Sequence, residues 1–485
     1  MKVHNNKATN ETELLTVDCT SSSNNKNSHS KTNATKPTIT NTRAAIQIHN
    51  SFQSVIDLDY YDGYIIDQWG VMHNGDIAMN GAIESIKELH RRGKKLIILS
   101  NTSSSEFECL ARLDPLGFNS NWFTHGAVTS GDIAIKYIKE KYGKYSGSYG
   151  NGNVTKKQKT KTTRTKALVM AWKHPIAPSS KDFLDRINGG FDGNGRDGQE
   201  KEDATIELVM SVEDDPDILI VHGLEVILRP DNQKGREEDG ENEKEDYISL
   251  GDYVMTGNIE SSTFLLSILK ECSKRNIPLL CIDPDIITMN PDGSILYMPG
   301  SIAKYYKEKL NGEVIYFGKP TILGFQLAIQ RLLKAKTDEA ETKVKVRETK
   351  GDHSCGCIDI GCNSNSSSSS SSSCSNRSIN SFRVCHIGDS IHHDIIGANN
   401  TNYYCNANDQ NSSFDGGIKG GSFTLDTILV LGGVHRVDLG IEYGELPSKE
   451  TLVNFFQRFA NEEDVAGNNR ASSVYPTHIV PLLKL

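Results

Sequence analysis

Four short apolar runs, each stopped by a polar residue, constrain this chain more than any other feature. Tyr64-Ile65-Ile66 stops at Asp67, and Leu96-Ile97-Ile98-Leu99 stops at Ser100. Val314-Ile315-Tyr316-Phe317 leads to Gly318-Lys319, and Val384-Cys385-His386-Ile387 leads to Gly388-Asp389. Unbroken apolar runs of this length suit strands covered on both faces, as in a parallel sheet between layers of helices. Helical patterns fall between them. Ala82 to Arg92 sets Ile83, Ile86 and Leu89 on one face, and Thr321 to Leu333 follows Pro320, a residue suited to a first helical position. The alternation predicts an α/β fold with a Rossmann-like parallel-sheet core. Such sheets bind ligands beyond the carboxyl ends of their strands, so four polar groups distant in sequence are expected to meet at one edge.

Between these runs lie segments that cannot pack. Residues 1–50 are expected to be a disordered tail, with polar insertions near 144–166, 190–204, 232–246 and 336–381, the last holding unbroken serines from Ser366 to Ser373. Such compositions bury too little apolar area to offset the entropy of ordering. They also explain why 36% hydrophobic residues and a mean hydropathy of -0.45 still leave room for a sizeable core. A net charge of -9 gives no reason to expect a polyanion partner, and the basic run from Lys156 to Lys166 lacks interleaved aromatic residues. No nucleic acid is expected as a partner. No apolar run reaches the ~18 residues of a membrane span, and the first ten residues lack a secretory core. Ten cysteines in so long a chain read as reduced thiols. A cytoplasmic location is expected, with organelle targeting through the acid-poor amino-terminal region as the alternative.

Taken alone, Asp67 before Gly70 reads as a turn former. The other strand ends change that reading. Ser100 offers a hydroxyl donor, Lys319 a compact cation suited to a phosphoryl oxygen, and Asp389 with Asp394 the carboxylates that a hard cation requires. Gly70 lets the chain turn sharply and bring backbone groups close to a ligand.

Asp67-Gln68-Trp69-Gly70-Val71, Leu99-Ser100-Asn101, Gly318-Lys319-Pro320 and Gly388-Asp389-Ser390 with Asp394 together resemble the four motifs of the haloacid dehalogenase superfamily. The long interval between the second and third motifs is similar to the large cap of its class IIA, nitrophenylphosphatase-like branch. The resemblance implies core segments at 51–140 and 300–485, a cap at 141–299, and an interruption of the second core segment at 336–381. It further implies Mg2+-dependent hydrolysis of a small phosphomonoester, in which Asp67 attacks phosphorus and forms an aspartyl phosphate. Asp67, the backbone carbonyl of Trp69, Asp389 and Asp394 are then the expected metal site. Ser100 and Lys319 hold the phosphoryl oxygens, and Gly70 and Asn101 contribute to substrate binding.

Trp69 departs from the pattern. Phosphatases of the superfamily carry a second Asp at this position as general acid and base, and indole has no titratable group. Nearby His73, His392 and His393 are the candidate replacements. The alternative is a catalytically weak protein that binds phosphate esters or regulates through them, and phosphoryl transfer to an acceptor other than water is a third possibility. Asp283-Pro284-Asp285 resembles a turn near the end of class IIA caps and is read as a turn rather than as catalytic. Gly193, Gly195 and Gly198 satisfy a dinucleotide-binding spacing without a strand before them. His353 with the cysteines from Cys355 to Cys374 has zinc-ligand chemistry but irregular spacing.

Overall fold

The computed structural model of the chain describes residues 12–19, 42–143, 164–173, 180–189, 206–229, 247–251, 256–290, 294–334, 382–407, 423–465 and 471–485. Strands β1 (Thr12–Cys19), β2 (Thr42–His49), β3 (Gly63–Ile66), β4 (Lys95–Ser100) and β5 (Ala127–Thr129) come first. The middle of the chain supplies β6 (Thr165–Ala171), β7 (Ile206–Val209), β8 (Ile218–Val221), β9 (Val226–Leu228), β10 (Tyr247–Ser249) and β11 (Leu279–Cys281). It continues with β12 (Ile287–Met289), β13 (Ile295–Tyr297) and β14 (Val314–Tyr316). The last strands are β15 (Phe382–Gly388), β16 (Phe423–Val430) and β17 (His478–Val480).

The core sheet runs β1-β2-β17-β16-β15-β3-β4-β5 and is parallel except for the β1–β2 pair. Its central strands are apolar on both faces for a visible reason. Tyr64 and Ile66 of β3 and Leu96 and Ile98 of β4 pack with Ile86 and Leu89 of the helix Ala82–Arg91. Their alternate neighbours Ile65, Ile97 and Leu99 pack with Ile133 of the helix Ser130–Tyr142 and with Phe325 and Ile329 of a helix over 322–334. From β3 the chain turns to β4 on one side, while β15 and its successors build outward on the other. The carboxyl ends of β3 and β15 therefore diverge into a crevice.

The second sheet, β10-β9-β6-β8-β11-β14 with β7 on β6, packs one face against the core through Ala167, Ile220 and Leu280. Its other face, with Leu219, Leu279 and Cys281, is covered by the helices Thr263–Lys274 and Pro299–Glu308. Strands β12 and β13 form a separate ribbon.

Three expectations are corrected. Residues 1–50 are not a tail throughout. β1 and β2 form an antiparallel hairpin, and β2 pairs in parallel with β17. The brief alternations Leu15/Val17 and Ile46/Ile48 are enough to bury one face against Leu452, Phe455 and Phe456. The run Val314 to Phe317 is not a core strand, because β14 pairs with β11 in the second sheet, and the helix Pro299–Glu308 packs there through Ile302, Ala303 and Tyr306. An apolar run specifies burial, not which sheet it joins. Pro320 stands in the turn before the helix rather than at its first position. The expected insertions at 190–204, 232–246 and 336–381, the Gly193 to Gly198 pattern and the Cys355 to Cys374 cluster lie outside the described residues. Cys109, Cys272, Cys281, Cys385 and Cys405 are free thiols. Among the described residues no helix is long and apolar enough to cross a membrane.

Candidate active site

Register places the first two carboxylates. Ile66 of β3 lies beside Ile387 of β15, so Asp67 and Asp389 leave neighbouring strand ends, and the Asp67 N–H donates to the Ile387 carbonyl at 2.9 Å. The Gln68 N–H donates to Asp67 Oδ1 at 2.8 Å. Two glycines wrap Asp389. A Cβ on Gly70, whose φ is +77°, would lie 2.0 Å from Asp389 Oδ2, and one on Gly433 would lie 1.9 Å from it. The Val434 N–H donates to the same oxygen at 2.9 Å. A π-helical turn, Ile391–Ile395, follows Ser390 and swings Asp394 back into the crevice.

Lys319 is the hub. Its Nζ sits 2.7 Å from Asp67 Oδ1 and 2.7 Å from Asp394 Oδ1, with only 2% of the side chain exposed. Its backbone is clamped by one side chain: Asn101 Oδ1 accepts from the Lys319 N–H at 2.7 Å, and Asn101 Nδ2 donates to the Lys319 carbonyl at 3.0 Å. The same Nδ2 donates to Asp285 Oδ1 at 2.9 Å, joining the second-sheet unit to the core. Asp394 is bonded on both oxygens. His386 Nε2 lies 2.9 Å from Oδ1, and the Ser390 N–H donates to Oδ2 at 3.1 Å.

These contacts set the electrostatics. Burial pushes the Asp67 carboxyl up and the Asp394 charge adds to it, against the pull of Lys319, leaving it near 7. Asp394 moves the other way. Burial acts upward there too, but Lys319 and His386 outweigh it, so it stays ionised. Burial also opposes the Lys319 ammonium, and Asp394 and Asp67 override it, so Lys319 remains charged. Asp389 is compensated least: burial, then Asp67 and Asp394, raise it well above the carboxylate range, against the Val434 N–H and Lys319. Asp67, Asp389 and Asp394 each offer an oxygen, all within 4.8 Å of one another. Three buried carboxylates and one lysine make a site short of positive charge, and the donor set of hard oxygens fits a divalent cation of the Mg2+ kind.

A cavity of about 360 Å³ opens over this cluster, lined by Asp67, Ser100, Lys319 and Asp389 from the core and by Asp285 and Thr288 from the second-sheet unit. All eight expected site residues lie in or against the crevice. Trp69 lines the cavity, its indole edge-to-face with His73 at 5.9 Å and pressed on Gly75. Gly70 packs on Asp389, and Asn101 spends both ends of its amide on protein partners. Of the three candidate histidines, His392 and His393 line the cavity and His73 does not. His73 Nδ1 accepts from the Gly75 N–H at 3.1 Å, and burial presses its pKa down to about 4. His392 packs on Phe459 and is also lowered to about 4, by burial and then by His393. His393 Nδ1 lies 3.3 Å from Asp285 Oδ1 and 3.2 Å from the Ser390 hydroxyl.

Sequence reasoning missed three participants. Asp285 was read as a turn residue, although it too follows a strand end, that of β11. His386 was counted within an apolar run, where a lone imidazole was itself the signal. Its Nδ1 lies 3.1 Å from the Ile65 carbonyl. Nothing in the sequence marked His435, whose Nε2 accepts from the Ile391 N–H at 3.0 Å and fixes the π-helical turn.

Residues 64–161 match the family model of haloacid dehalogenase-like hydrolases. The segment that carries Asp67, Ser100 and Asn101 is thus haloacid dehalogenase-like in sequence. The chain is also 32% identical over 91 residues to the putative NipSnap protein K02D10.1 of Caenorhabditis elegans, a match covering 18% of this chain and 17% of that protein. It therefore spans less than a fifth of that relative's length. Among solved structures, the chain is similar to a haloacid dehalogenase-like family hydrolase from Brucella suis, 18% identical with a TM-score of 0.45, over 88% of this chain and 98% of that one. It is similar to a possible sugar phosphatase from Cytophaga hutchinsonii, 14% identical with a TM-score of 0.44, over 91% and 99%. It is also similar to a p-nitrophenyl phosphatase from Archaeoglobus fulgidus, 15% identical with a TM-score of 0.41, over 87% and 97%.

Proposed function

We propose that this protein is a Mg2+-dependent phosphatase that hydrolyses a small phosphomonoester through an aspartyl phosphate on Asp67. The observation that carries the reading is the bonding of Lys319 to Asp67 and Asp394 within one buried cluster beside Asp389. A carboxylate held this way is oriented, desolvated and paired with a cation able to stabilise charge on a transferring phosphoryl group.

Asp67 and Asp389 would hold the cation, with the Trp69 carbonyl beside them, and Asp394 would serve chiefly to hold Lys319. When bound there, the cation would neutralise charge on the phosphoryl group and on Asp389. Asp67 attacks phosphorus with its free oxygen, and the bond to the leaving oxygen breaks, that oxygen taking its proton from solvent to depart as the alcohol. Ser100, buried at the strand end, donates to a phosphoryl oxygen, and Lys319 faces the charge that develops there. Water then cleaves the acyl phosphate and restores the carboxylate. Asn101 acts at one remove, by fixing Lys319 and by tying Asp285 across the mouth of the cavity. Trp69 brings no proton to the leaving oxygen, which limits turnover by about 10²–10⁴ relative to a site with a general acid there. Trp69 also favours a second reading, a phosphate-ester binding protein with weak hydrolysis.

The test is phosphate release from a panel of phosphomonoesters, with Mg2+ and with chelator. Release that needs Mg2+ supports the hydrolase. Tight ester binding without release would move the binding protein to first place. The partner in either case is a small phosphorylated metabolite, and the cytoplasm is the proposed location.

A further inference from the structure

A second cavity of about 360 Å³ adjoins the phosphoryl cavity, and the two share Trp69, Asp389 and Val434 as a common wall. Its remaining lining is apolar at Ile77, Ala78 and Met79 and polar at Asn74, Asn80, Asn290, Arg436 and Tyr443. Arg436 is half-buried there and faces no carboxylate within ion-pair distance among the described residues. Several other arginines are paired: Arg92 with Glu88 and Asp57, Arg186 with Asp132, and Arg458 with Asp438. The Tyr443 hydroxyl accepts from the Asn80 N–H at 3.1 Å, so its own proton is left to offer to a ligand. Burial raises the Tyr443 pKa, and that group remains a donor at neutral pH.

We propose that this cavity is a subsite for a carboxylate on the alcohol half of the substrate, held by Arg436 and Tyr443 while the phosphoryl group lies over Asp67. One guanidinium matches one negative charge, and its planar fork suits a carboxylate. The Trp69 indole between the two cavities then serves as a spacer against which the linking carbons pack. This assignment rests on the phosphomonoester reading and narrows it to acidic esters.

The test is calorimetric titration of the Asp67→Asn protein in Mg2+. The ligands are phenyl phosphate and a spacer series of carboxylated esters: phosphoglycolate, 3-phosphoglycerate and 4-phosphonooxybutanoate. At least one carboxylated ester should bind more tightly than phenyl phosphate. Arg436→Gln should lower that preference at least about tenfold, as expected for loss of a charged hydrogen bond. Arg436→Lys, which keeps the charge, should recover part of it. No preference for any member, or a preference untouched by Arg436→Gln in a protein with an unchanged thermal melt, would overturn the subsite alone. If no ester binds, phenyl phosphate included, the phosphomonoester reading falls with it.

Discussion

At the scale of single residues, the site is built by close approach rather than by bulk. Gly70 and Gly433 exist as glycines because Asp389 occupies the space a Cβ would take, and at Gly70 the left-handed φ adds to that demand. Gly70→Ala is therefore expected to cost about 1–3 kcal/mol in stability and to remove Mg2+-dependent activity, since Asp389 must move. A thermal melt with and without Mg2+ checks both parts: the variant should melt lower and gain nothing from the ion. Asp67, Ser100, Lys319, Asp389 and Asp394 were legible in the sequence because each interrupts or follows an apolar run. Asp394 was legible as a metal ligand or as a residue that orients the site from behind it. That it binds Lys319 and is itself bonded by His386 became visible only when distances were known, because a hydrogen-bond partner 75 residues away leaves no local signal.

At the scale of elements, the edge hairpin β1–β2 is tied to the core by a buried polar chain. Thr12 Oγ1 lies 3.3 Å from His49 Nδ1, His49 Nε2 lies 3.0 Å from His478 Nδ1, and His478 Nε2 lies 2.7 Å from the Tyr61 hydroxyl. Tyr61 donates to Asp426 Oδ2 at 3.0 Å. One direction of donation satisfies every link with both histidines neutral. Burial lowers His49, and burial with the His49 charge lowers His478 to about 4. Both groups bind protons more weakly folded than unfolded. Their contribution to stability is complete above the ordinary histidine pKa near 6.5 and is lost as pH falls toward 4. For His478 the loss is on the order of 2–3 kcal/mol. Denaturant titrations at pH 7 and pH 4.5 should show a steeper loss in the wild type than in His478→Gln, and equal slopes would count against the chain. This hairpin was read as part of a tail because two buried apolar residues per strand barely register against a polar composition. The strands of the central sheet were legible because both of their faces are covered.

At the scale of the molecule, core and second-sheet unit meet over the reacting groups. Asn101 carries the coupling, with Lys319 on one side of its amide and Asp285 on the other. Arg186 adds a second tie, paired with Asp132 of the core at 2.8 Å and bonded to the Ser103 carbonyl. Asn101→Ala should free the Lys319 loop and cut kcat/KM by about 10², the scale of a small misplacement of a reacting group, while the melting temperature shifts far less. Steady-state kinetics beside a melt separate the two. The division of the chain between the sheets was only partly legible. β14 was assigned to the core because it precedes Lys319 in sequence, whereas in space it completes the second sheet.

The central claim is that Asp67 is the nucleophile. The most direct measurement is mass spectrometry of peptides from protein quenched in acid during Mg2+-dependent turnover of a phosphomonoester, run beside Asp67→Asn. A phosphoryl adduct on the peptide that contains Asp67, absent from the variant together with phosphate release, is the predicted result. Phosphate release that persists in Asp67→Asn, with no adduct in either protein, would contradict it.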